Sequence, residues 1–183
     1  MVASKIERSI MVCVVWDRHQ LEKELRVGNK INELFSLTLG LRVNDTDILG
    51  GVYTFVHTFF LQIYAVFSYF DPLGLEDMRL YVEPSDWVDA HGIDSHYALK
   101  DEDPSILTIK YRRIDMNKPE GYIEVPFQDF VKGILDSNRL FIDQCLEIRP
   151  DLIADEEFLS FQREMIIVDR WYRQKWSPME SYT

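Results

Sequence analysis

Residues 48–70 read ILGGVYTFVHTFFLQIYAVFSYF, twenty-three positions without a charge. The fold depends on where this run goes. By length alone it could span a bilayer. Two features send it into a protein core instead. Weakly polar residues recur at Thr54, His57, Thr58, Gln62, Ala65 and Ser68, close to one helical stripe. The flanks are acidic, with Asp45 and Asp47 before and Asp71 after, and no Lys or Arg cluster is present to anchor or orient a span. The run is therefore expected to form one long helix in the interior. Asn44-Asp45-Thr46-Asp47 supplies N-cap candidates and acids suited to the positive end of the helix dipole. Asp71-Pro72-Leu73-Gly74 terminates it. Gly50-Gly51 is too short to cradle a phosphate and is expected to permit close packing.

Upstream, residues 10–16 (IMVCVVW) are apolar and β-branched and predict a strand. Leu21 to Val27 fits either a second strand or a short helix, followed by a turn at Gly28-Asn29. Residues 33–44 alternate cleanly: Phe35, Leu37, Leu39, Leu41 and Val43 share one face, and Ser36, Thr38, Gly40, Arg42 and Asn44 the other. That is a strand with one face on a core.

Downstream, strand-like pieces at 78–83, 95–99, 105–114 and 121–125 are separated by turn signals, with a hairpin loop over 116–121. Residues 127–148 then carry a helical stripe of Phe130, Val131, Ile134, Leu135, Phe141, Ile142, Cys145 and Leu146, between Pro126 and Arg149-Pro150. A last helix runs from about Asp155 to Gln174, acidic at its start and basic at its end, with an inner stripe of Phe158, Phe161, Met165, Val168 and Tyr172. Strands, long helix, strands and two helices, without βαβ alternation, give an α+β class. The expected architecture is one domain over 1–183: a mostly antiparallel sheet packed against a buried central helix and two C-terminal helices.

The 183 residues are 46% hydrophobic and 28% charged, which excludes a disordered or low-complexity chain. Twenty basic and 31 acidic residues give a formal charge of −11, which argues against general nucleic-acid binding, since that works by neutralising phosphates. Two cysteines, Cys13 and Cys145, make no disulfide framework and read as small core hydrophobes. Met1 to Trp16 makes a poor signal peptide, because Glu7 precedes a short apolar core and no small-residue cleavage site follows at once. The cytoplasm is the expected compartment. No G-x-S-x-G, Walker A or G-x-G-x-x-G pattern occurs, and no cofactor, catalytic residue or metal ligand is expected.

The charge is uneven. Residues 71–106 hold ten acids against Arg79 and Lys100, a net of −8 in 36 residues. Such a concentration is either a solubilising rim or a surface that steers a basic partner. The steering reading expects Glu83, Asp86, Asp89, Asp94, Asp101, Glu102 and Asp103 to gather on one side, because turn acids at the same sheet end converge. The tail Arg170-Trp171-Tyr172-Arg173-Gln174-Lys175-Trp176 adds Trp171, Tyr172 and Trp176, residue types enriched in binding hot spots, though the same residues suit an ordinary helix end over the core.

Two further features carry possible chemistry. Asp86 to His96 holds three carboxylates, His91 and His96, donors that suit zinc, iron or manganese, but the spacing fits no metal signature and reads as a polar loop between two short strands. His57 on the weakly polar stripe reads as a hydrogen-bonded core histidine. The functional expectation is an acidic, cytoplasmic protein-binding module, most concretely an immunity or inhibitor protein that neutralises a basic toxin such as a nuclease. The alternative is a small metal-dependent enzyme using the Asp86–His96 segment. The expected partner is a basic protein, not nucleic acid and not a membrane, and the oligomeric state is left open.

Overall fold

The computed structural model describes residues 11–32, 35–90, 93–113 and 121–177. It is an α+β fold of two antiparallel sheets and four helices sharing one hydrophobic core.

The first sheet is built on the alternating stretch. β2 (Ser36–Val43) is its central strand and buries Leu37, Leu39, Leu41 and Val43. β1 (Val12–Trp16) pairs on one side, Val12 opposite Val43. β3 (Thr46–Asp47) and β4 (Val52–Phe55) share the other side. Between β1 and β2 the chain forms α1 (Arg18–Arg26), which settles the strand-or-helix choice. Its N-cap is Asp17, whose carboxylate accepts from the His19 amide at 2.8 Å.

The uncharged run divides. Gly50 (φ +66°) and Gly51 (φ +78°) adopt left-handed backbone, so the pair makes a turn, not a close helix contact. Val52–Phe55 then pairs with β2, and the helix α2 covers only Val56–Phe70. Asn44 to Asp47 is likewise no helix cap. Asn44 (φ +53°) and Asp45 form a two-residue hairpin turn between β2 and β3, a position that favours Asn. The central-helix expectation holds for the remainder: ten of the fifteen α2 residues are buried, Phe59, Phe60, Ile63, Tyr64 and Phe67 among them. α2 touches both sheets and the last helix, so nearly every face meets apolar side chains. Asp71 caps its end as expected. Among the described residues no helix is long and apolar enough to cross a membrane.

Residues 78–83 are not a strand. Glu76–Leu80 is a 3-10 turn in which Met78 is buried and Leu80 exposed. Local bonds from the Met78 amide to Leu75 O and from the Tyr81 amide to Met78 O replace a ladder. The second sheet follows as a meander: β5 (Trp87–Asp89), β6 (Ile93–Lys100), β7 (Asp103–Arg113) and β8 (Gly121–Pro126). Residues 87–89 and 94–96 are thus paired strands and not a loop. The 116–121 hairpin loop lies outside the described residues up to position 120.

α3 (Phe127–Ile148) leaves β8 directly and lies along β1. The approach is close: a Cβ on Gly133 would sit 2.3 Å from the Val12 carbonyl oxygen. Ser137 Oγ donates to Gly133 O (2.7 Å) and accepts from the Val14 amide (2.9 Å), so a helix side chain satisfies a donor of the edge strand. α4 (Glu156–Trp176) starts on Asp155, whose carboxylate accepts from the Phe158 amide at 3.1 Å. Its buried stripe is Phe158, Phe161, Glu164, Val168 and Trp171, with Met165 and Tyr172 only partly covered. The expected stripe is thereby rotated, and an acid has entered the core.

Candidate functional site

The β5–β8 sheet presents one face to the core and one to solvent. Val88, Ser95, Tyr97, Leu107, Ile109 and Val125 point inward and are buried. Burial pushes the Tyr97 phenol up to about 12, against the hydrogen bond from Ser95 Oγ. Register fixes the outer face in rows. Trp87 stands opposite His96, His96 opposite Lys110, and Lys110 opposite Tyr122. The next row holds Asp89, Asp94 and Arg112. Trp87 and His96 stack with ring centroids 6.3 Å apart. Arg112 Nη2 lies 3.5 Å from Asp94 Oδ2. Lys100 reaches over the sheet to Glu124 at 3.1 Å. Hydrogen bonds from Tyr122 and from Lys100 hold the Glu124 carboxyl below its ordinary range.

The acidic set divides between the two ends of the sheet. Asp89 and Asp94 mark one end of the sheet, where β5 turns into β6. Asp101 and Glu102 form the two-residue turn between β6 and β7 at the other end. Seven residue steps along extended chain separate Asp94 from Asp101, about 23 Å. Asp86 lies between, level with Tyr97, whose amide donates to its carbonyl at 2.8 Å. Glu83 is exposed in the connection before β5. Asp103 is held by the Ser105 hydroxyl (2.6 Å) and amide (3.1 Å), which lower its pKa.

The acids of 71–106 differ in whether they have a counter-ion. Asp71 meets Lys175 at 2.6 Å and Asp94 meets Arg112. Glu76, Asp77, Glu83, Asp86, Asp89, Asp101 and Glu102 are exposed, and none is within ion-pair distance of a described cation.

The tail residues belong to a different place. Trp171 is 4% exposed, stacked on Phe67 with centroids 6.0 Å apart, and its indole donates to Asp71 Oδ2 at 3.0 Å. It is a core residue and offers nothing to a partner. Trp176 packs edge-on against Trp171 and Phe127, and Tyr172 beside Trp176; both are partly buried. Lys175 lies over both indoles. The helix-end reading of the tail describes this arrangement.

His57 and Glu164 form a site that composition did not suggest as a pair. His57 Nε2 lies 2.7 Å from Glu164 Oε2, with Glu164 only 2% exposed. Ser160 Oγ donates to the other carboxylate oxygen at 3.4 Å, and Phe161 closes the imidazole edge-on. The pair ties α2 to α4. Nearby, Asn138 Nδ2 donates to the Tyr64 hydroxyl at 2.5 Å. Cys145 is buried, which pushes its thiol well above the ordinary range, unsuited to nucleophilic chemistry. Among the described residues no three His, Cys, Asp or Glu side chains come together to hold a metal ion. His91 lies outside the described residues. No family model, no curated protein and no solved structure matches the chain.

Proposed function

We propose that this chain is a cytoplasmic protein-binding module that neutralises a basic protein, most concretely an immunity-type inhibitor of a nuclease toxin. One observation carries the reading: seven exposed carboxylates of 71–106 have no described cation of their own, while most cations elsewhere are paired with acids. Unneutralised like charges destabilise a compact state through self-repulsion. A partner rich in Arg and Lys relieves that repulsion and gains charge-assisted hydrogen bonds. Carboxylates on such a surface take the place of the phosphates that a nuclease holds, and nucleic acid is repelled by the same field. Because the acids divide between two sheet ends, their main role is long-range steering and not a single buried anchor.

The test is co-expression of the chain with a panel of basic nuclease domains, followed by inhibition measurements on purified pairs. Protection of cells by one pairing, with an on-rate that falls steeply as salt rises, supports the proposal. Absence of protection and of complex formation across the panel, or a salt-independent on-rate, overturns it.

A further inference from the structure

The solvent face of the β5–β8 sheet carries exposed aromatic side chains among charges of both signs. Trp87 and Tyr122 are 42% and 56% exposed at the two ends of one cross-strand row. The charges on this face nearly cancel: Lys100, Lys110 and Arg112 stand against Asp89, Asp94, Asp103 and Glu124, a net of −1. On a chain of −11, a face of net −1 with exposed aromatic side chains is one that a second copy can approach with little charge penalty.

We infer that two copies associate through this face about a two-fold axis running along the strands, between β6 and β7. This inference stands apart from the proposed inhibitor function. The operation lays β5 over β8 of the second copy and β6 over β7. The register then decides what meets what. Trp87 lies over the second copy's Tyr122, an aromatic pair of the type that anchors interfaces. Asp94 lies over Arg112, and Lys100 over Asp103, each an acid facing a base. His96 lies over Lys110, whose ammonium can donate to an imidazole nitrogen. Ala98 and Thr108 are the small side chains at the centre of the face, and face-to-face sheets pack about 10 Å apart. Isologous contact makes each pair occur twice.

Sedimentation velocity over a concentration series tests the inference with the chain alone. The wild-type chain is expected to dimerise. Trp87→Glu is expected to raise the dissociation constant by about tenfold or more. Arg112→Asp sets acid against acid across the axis, and Asp94→Arg sets base against base, so each variant alone is expected to be monomeric. Mixing the two restores both cross-axis pairs and is expected to give a heterodimer, while the intrachain Asp94–Arg112 pair stays broken in each. Restoration on mixing is therefore a readout that intrachain damage cannot mimic. A wild-type chain that stays monomeric, single variants that dimerise like wild type, or a mixture that fails to associate overturns the inference. If either charge variant fails to fold, the Trp87→Glu result decides: an unchanged dissociation constant overturns the face.

Discussion

Between α3 and α4, Lys132, Asp136, Arg139, Asp169 and Arg173 alternate in sign along one ladder: Lys132 on Asp136 at 2.5 Å, Arg139 bridging Asp136 and Asp169, and Arg173 on Asp169 at 2.9 Å. In 71–106, seven exposed carboxylates face water with no described counter-ion. Both regions are surface, and both are highly charged. The ladder joins two helices, so its charges sit where their partners hold them. The acidic segment is strand ends and turns, where side chains project beyond any neighbour that could neutralise them. The contrast separates charge paired within the fold from charge left facing water. Exposed ion pairs individually add only about 0–1 kcal/mol, so the ladder itself is weak glue. The stability of the helical side lies beneath it, in the buried pair and the aromatic core.

The strongest way to break this division is at Glu164. Glu164→Ala leaves His57 buried without its hydrogen-bond partner and is expected to cost roughly 3–5 kcal/mol, the range for removing one member of a buried pair. Chemical denaturation measures it. Replacing both His57 and Glu164 by Leu removes the desolvation along with the bond and should recover most of that loss. If the single and double variants are equally unstable, the pair is not the tie between α2 and α4. Phe59→Ala tests the adjacent core: Phe59 is 1% exposed, and the expected loss is again about 3–5 kcal/mol. A smaller effect is expected at the strand edge. Ser137→Ala orphans the Val14 amide and should cost about 1–3 kcal/mol. An unchanged unfolding midpoint would show that water replaces the hydroxyl there.

Acid titration sharpens the comparison by sign. Burial raises the Asp71 pKa, but hydrogen bonds from Lys175, Trp171 and the Gly74 amide outweigh it and hold the group below its ordinary value. Asp155 is lowered by Lys30, against its own burial, with the Phe158 amide assisting. A depressed carboxyl contributes stability that is complete above its unfolded value, about 3.9, and disappears as pH falls through its lower folded value. Asp71→Asn should therefore flatten the steep acid limb of a stability–pH curve. An unaltered limb would mean that Asp71 does not hold the end of α2 to α4.

How much of this was legible depended on range. The 33–44 alternation was readable because one face of β2 is buried, and a two-residue period has one structural meaning. Helices 127–148 and 155–174 were readable from stripe and caps. The uncharged run was half legible: apolarity placed it in the core, but the left-handed Gly50-Gly51 and the pairing of Val52–Phe55 with β2 depend on a strand twelve or more residues away. Glu164 hid because an acid beside Met165 looks like the solvated flank of a stripe. The available signal was its position three residues after Phe161 and four before Val168, facing the lone histidine of an uncharged helix. The Trp87–His96–Lys110–Tyr122 row was invisible because it exists only after three non-local registers are set, and 86–96 read instead as a polar loop between two short strands.

The smallest structural effect and the most diagnostic functional one are expected from the same substitution. Asp101 and Glu102 occupy the two-residue β6–β7 turn, exposed and without an ion pair to a described cation. Changing both to Lys disturbs no described contact, unlike Asp103, whose carboxylate is engaged by Ser105. Thermal unfolding should stay essentially where it was. If the segment steers a basic partner, the association rate should drop while dissociation changes little, because rim charges act on encounter and not on the formed contact. The effect should shrink as salt shortens the Debye length from about 10 Å at 0.1 M to about 3 Å at 1 M. Stopped-flow mixing with any nuclease domain that forms a complex with the chain in the co-expression panel measures both rates. A double variant that binds at the wild-type rate at low salt would leave these carboxylates a solubilising rim, and the contrast with the helical ladder would then concern solubility alone.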